Sequence, residues 1–138
     1  MALDPVALAS VAGAVAAALS LVVAGFQLAL AIGAPWGRAA YGGQHPGVLP
    51  ARLRVSSAVA TLVWAAVALA VARRAGWPVW APLPDAWLPV VVWVIVGLGL
   101  VAMLLNAITR SRIERALWLP TSVLLFGATL VVALTARG

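Results

Sequence analysis

Four long stretches of this chain carry no charged side chain, and the charges gather in the short segments between them. Each stretch is long enough for an α-helix to cross a hydrocarbon core of about 30 Å. The pattern predicts spans over about 6–34, 55–72, 90–109 and 120–136, in a single transmembrane domain covering residues 1–138. The expected fold is all-α, an integral membrane four-helix bundle made of two helical hairpins. Asp4-Pro5 opens the first span as a cap followed by a first-turn proline, and Pro35 is expected to end it. That span corresponds to about 43 Å of helix, longer than the hydrocarbon core, so it should tilt or project. It is too long for a signal peptide and lacks a basic leading region, so it reads as a retained span.

Polar residues inside the spans are few and patterned. Ser10, Gly13, Ala17, Ser20, Ala24 and Gln27 recur at spacings of three and four, forming one stripe of the first helix. Small residues on a stripe let another helix backbone approach closely, within the bundle or across a homo-oligomer. Ser57, Thr61, Trp64 and Ala68 share a face of the second span, and Gly99, Ala102 and Asn106 share one on the third. The hairpins echo each other. Each has an amide near the end of its first helix, an Arg-rich link, then Leu-Pro and hydroxyls. Between the hairpins, Trp77, Trp80 and Trp87 lie among prolines, as an aromatic belt at a membrane interface does.

Composition strengthens the membrane reading. Hydrophobic residues make up 65% and charged residues 9%, with a mean hydropathy of +1.12. A net charge of +6 does not point to nucleic acid, because the basic residues are all Arg and cluster at the span ends, where membrane proteins encode orientation. The links after spans one and three carry Arg38, Arg52, Arg54, Arg110, Arg112 and Arg115. The other side has Arg73, Arg74 and Arg137, offset by Asp4 and Asp85. This asymmetry places the first group in the cytoplasm and both termini outside, as expected in a bacterial inner membrane. There is no Cys, so no disulfide or Cys-ligated metal exists.

The inventory narrows the chemistry. One His and three scattered carboxylates do not supply a metal site within one chain, no phosphate loop of the GxxxxGK[ST] type occurs, and no cofactor is expected. None of the spans contains an ionisable residue of the kind proton-coupled carriers use. What remains is a polar layer on the cytoplasmic side. Gln27 and Asn106 enter it from the spans, and Tyr41 and His45 from the first link. Buried amides need partners, which can be each other, a backbone group or a ligand. The link over 35–54 spends about twenty residues where two to eight suffice. Its Gly42 and Gly43 let backbone approach an anion, and Arg38, Arg52 and Arg112 supply planar forks that bind oxyanions. The alternative for these arginines is plain topology and lipid anchoring.

GAPWGR, YGG, LPxxLR and NxxTRSRxER with WxP resemble the pattern of a group of small bacterial four-span membrane proteins without an assigned activity. The resemblance implies the span count and no chemistry. The expected site is therefore Gln27, Arg38, Tyr41, Gly42, Gly43, Arg52, Asn106 and Arg112 around an anionic lipid headgroup or phosphate-bearing small molecule, in a binding, transport or accessory role. Membrane lipids are the expected partners, and nucleic acid is not. Two alternatives stand beside it. One is a membrane-embedded enzyme acting on an amphiphile with His45 or Glu114 as acid or base; the other is a structural subunit of a larger complex.

Overall fold

The computed structural model describes residues 4–136, so Arg137, counted above on the outer side, lies outside the described residues. The protein is all-helical: α1 (Pro5–Ala31), α2 (Ala51–Arg74), α3 (Leu88–Ile108) and α4 (Arg112–Thr135) are each long and apolar enough to cross a membrane. It is an integral membrane helical bundle. The 32–50 and 109–111 connections share one end, and the 75–87 connection shares the other with the start of α1 and the end of α4. α1 packs most extensively on α2, and α3 on α4; α1 also lies along α4, while α2 and α3 barely touch.

The small residues of α1 explain its close packing. Gly13 is buried where a Cβ would run into that of Ala75 at the end of α2. Ser20 and Ala24 are also buried, and the Ser20 hydroxyl is satisfied by the Ala16 carbonyl at 2.8 Å. These deep positions of the stripe are used inside the bundle. The main core gathers Ala16, Val71, Ala75, Val92, Leu125 and Val132 from all four helices, towards the 75–87 end. Arg74 reaches the Ala136 carbonyl there, the Trp77 indole donates to the Ser10 carbonyl at 3.0 Å, and Arg73 grips Asp85 at 2.8 Å. Trp77, Trp80 and Trp87 are exposed at this end.

Several helix ends differ from the expected boundaries. α1 stops at Ala31 because Gly33 takes a left-handed conformation (φ +104°), allowing Ala34 and Gly33 to bond back to the Ala29 and Leu30 carbonyls. Gly76 ends α2 in the same way (φ +95°). α2 begins at Ala51, straight after Pro50, so Arg52 and Arg54 are helical rather than part of the link. The largest shift is in α4, expected from Pro120 but starting at Arg112. Ser111 caps it by accepting from the Glu114 amide at 3.2 Å. Pro120 therefore sits inside the helix, where its missing N–H leaves the Ala116 carbonyl without its intrahelical donor.

Candidate functional site

Between the main core and the 32–50 end, the divergence of α2 from α3 leaves a cavity of about 530 Å³ that all four helices line and that reaches down to Leu125 of that core. Its walls are apolar, from Val23 of α1, Val67 of α2, Ile95 of α3 and Leu125 of α4. Val63 of α2 and Leu98 of α3 line it while remaining 53% and 64% exposed, so the gap between these helices faces the hydrocarbon. The polar groups lie towards the link end: Gln27, Tyr41, Asn106, Glu114, Thr121 and Ser122; Thr129, deeper in, is satisfied by the Leu125 carbonyl. An apolar body with its polar atoms at one end is what an amphiphile lying in a bilayer presents.

The first link closes the aqueous side. It folds back through two short 3-10 turns, Gly37–Ala39 and Tyr41–Gly43, with Ala39, Ala40 and Tyr41 facing the cavity. Four contacts pin it. The Trp118 indole donates to the Ala39 carbonyl at 2.8 Å and the Ser111 hydroxyl to the Arg38 carbonyl at 2.6 Å. The Tyr41 hydroxyl meets that of Ser57 at 3.1 Å, and the Gly37 amide donates to the Gly47 carbonyl at 2.9 Å. Beneath it, Leu30, Ala40 and Leu49 form a second small core with Phe26 and Leu53. Phe26 meets Trp118 edge-on, with ring centres 4.6 Å apart.

The expected site residues are divided between two places. Gln27, Tyr41 and Asn106 line the cavity. Arg38, Gly42, Gly43 and Arg112 line a separate, more open groove of about 350 Å³, with Arg110 and Ser111. The same short segment of the link contributes to both and divides them. Arg52 lines neither and is exposed, its carbonyl accepting from Ser56. The two amides also differ. Asn106 donates to the Trp118 carbonyl at 3.3 Å and the Ser122 hydroxyl at 3.4 Å, bridging α3 to α4. Gln27 has a buried Oε1 with no hydrogen-bond partner among the described residues.

Of the two acid–base candidates, Glu114 lines the cavity and accepts from the Thr109 hydroxyl at 2.6 Å. His45 lines neither space, and its Nδ1 is buried without a partner among the described residues. The two do not share a pocket. The i, i+4 spacing of Arg110 and Glu114 also produces no ion pair, because Arg110 precedes the helix and Thr109 takes a Glu114 oxygen instead. Among the described residues no three His, Asp or Glu side chains gather where a metal could bind.

Sequence reasoning missed Trp118 and Arg54. Arg54 donates through Nε to the Ala31 carbonyl at 2.9 Å, capping α1 from the first turn of α2. Trp118 lines the cavity and holds the link over it. Its signal was the Ser-x-x-Glu sequence at 111–114, a helix start that places Trp118 one turn beyond Glu114 on the same face. The chain matches no protein-family model, no curated protein and no solved structure.

Proposed function

We propose that this protein binds a membrane amphiphile drawn sideways from the bilayer into the cavity between its four helices, in a binding, transport or accessory role. The observation that carries this reading is the cavity itself: about 530 Å³, apolar along its depth, polar towards one end, and bordered by exposed Val63 and Leu98 on the lipid side. Its volume lies within the range of about 300–1,000 Å³ common for ligand sites. Lipid tails are as apolar as the cavity wall, so moving a tail from bilayer to cavity supplies little driving force. Selection then rests with the polar end, above all with the unpartnered Gln27 carbonyl oxygen. In this reading the six arginines at the link-side end of the bundle lie at the cytoplasmic face of a bacterial inner membrane, with both termini outside.

A second reading is favoured by one observation. Arg38, Arg110 and Arg112 border the outer groove beside Gly42-Gly43, a setting suited to a phosphate or another oxyanion at the membrane surface. Native mass spectrometry of gently extracted protein separates the two. Under the cavity reading the wild type carries a bound lipid or other amphiphile, Ala102→Trp loses it by filling the cavity, and Arg38→Lys with Arg112→Lys retains it. Loss of a phosphate-bearing adduct in the Arg→Lys variant, with Ala102→Trp unaffected, would move the site to the groove.

A further inference from the structure

We infer that the molecule this cavity takes is a lipophilic organic cation, an inference that rests on the amphiphile reading above. Among the described residues, Glu114 is the one charged side chain that lines the cavity. Thr109 engages one of its oxygens, leaving the other for a ligand. The unsatisfied group nearby is again an acceptor, the buried Oε1 of Gln27. Two acceptors, one of them anionic, call for a donor or a positive charge.

Aromatic rings line the cavity: Phe26, Tyr41 and Trp118 lie at this polar end and Trp64 deeper, against the main core, and aromatic rings attract cations, most strongly Trp. A bound cation would also relieve the cost of keeping a carboxylate in a partly buried, lipid-adjacent space. An anion would meet Glu114 with no basic side chain inside the cavity to offset it. The arginines at this level point elsewhere: Arg54 to the Ala31 carbonyl, Arg115 to the Thr109 carbonyl, and Arg38, Arg110 and Arg112 along the outer groove. The arginine-rich face repels cations arriving from water on that side, so the route consistent with the charges is through the gap between α2 and α3.

Tetraphenylphosphonium and tetraphenylborate, ions of matching shape and opposite charge, test this by equilibrium dialysis against the purified protein in a neutral maltoside detergent. The wild type should bind the phosphonium saturably and at least about tenfold tighter than the borate, as a carboxylate within a few ångströms implies. Glu114→Gln keeps an acceptor for Thr109 and should abolish that preference. Gln27→Leu, which breaks no hydrogen bond among the described residues, should weaken the phosphonium alone. Equal or tighter binding of the borate by the wild type would overturn the inference, as would an unchanged preference in Glu114→Gln. If Ala102→Trp sheds its bound amphiphile yet the wild type shows no ion preference, the cation inference falls and the amphiphile reading stands. If the preference survives intact in Ala102→Trp, the cavity is not the site and both fall.

Discussion

The packing of α1 can be tested with one substitution made at two places in the same helix. Gly13 and Gly25 are both helical glycines of α1. An alanine at position 25 would meet nothing within 4 Å, whereas at position 13 its Cβ would collide with that of Ala75. Replacing Gly by Ala inside a helix gains about 1 kcal/mol from backbone propensity alone. At Gly25 that gain stands unopposed. At Gly13 it is set against overpacking, which costs about 1–3 kcal/mol, and Ala75 has no flexible side chain to swing aside. Gly25→Ala should therefore stabilise by about 1 kcal/mol, and Gly13→Ala should range from neutral to about 2 kcal/mol destabilising. Gly13→Leu should cost more, because the larger side chain must push α1 away from the end of α2. SDS titration of the purified protein, followed by circular dichroism, measures the two directions. Equal gains for Gly13→Ala and Gly25→Ala would refute the close approach of α1 to Ala75.

Three further outcomes are expected. Trp118→Phe keeps the ring against Phe26 but loses the hydrogen bond to the Ala39 carbonyl, worth about 1 kcal/mol; amide exchange at Ala40 and Gly43 should rise about fivefold, and unchanged exchange would mean the link is held without it. Pro120→Ala restores a donor for the Ala116 carbonyl at an exposed site within α4, and should stabilise by up to about 3 kcal/mol in the same SDS titration; no gain would show that the helix already accommodates the proline. A reporter active only outside the cytoplasm, fused after Gly138, should function, since the arginines favour the opposite side by six to three; activity of a cytoplasmic reporter there would invert the orientation.

The number of spans was legible because uncharged runs of this length have few other uses, and the shared side of the two Arg-rich connections follows from that number. Gln27, Tyr41 and Asn106 were legible as a group because the two amides sit at matching ends of α1 and α3 and Tyr41 in the link at that same end. The start of α4 was not, because Pro120 fits a first helical turn far better than a helix interior and so marks the wrong start. The deciding residue was Ser111, whose cap outweighs the proline nine residues further on. The separation of the arginines from the amides was illegible for another reason. It depends on which way the backbone of residues 38–43 faces, and that is fixed by distant partners: Trp118 holding Ala39, Ser111 holding Arg38 and Tyr41 meeting Ser57. The cavity itself comes from the divergence of α2 and α3, a property of how the four helices pack rather than of any one helix's sequence.

The most direct test of the central claim is photolabelling in native membranes with an alkyltrimethylammonium amphiphile carrying a diazirine in its tail, followed by peptide mapping. Leu125 and Thr129 line the cavity and are 5% and 1% exposed, out of reach of bulk lipid, whereas Val22 and Leu124 lie on exposed helix faces at 58% each. Entry of the tail between α2 and α3 should label Leu125 and Thr129 as well as the exposed positions, and Ala102→Trp should remove the first pair while sparing the second. Labelling confined to Val22, Leu124 and other exposed positions in the wild type would contradict the account.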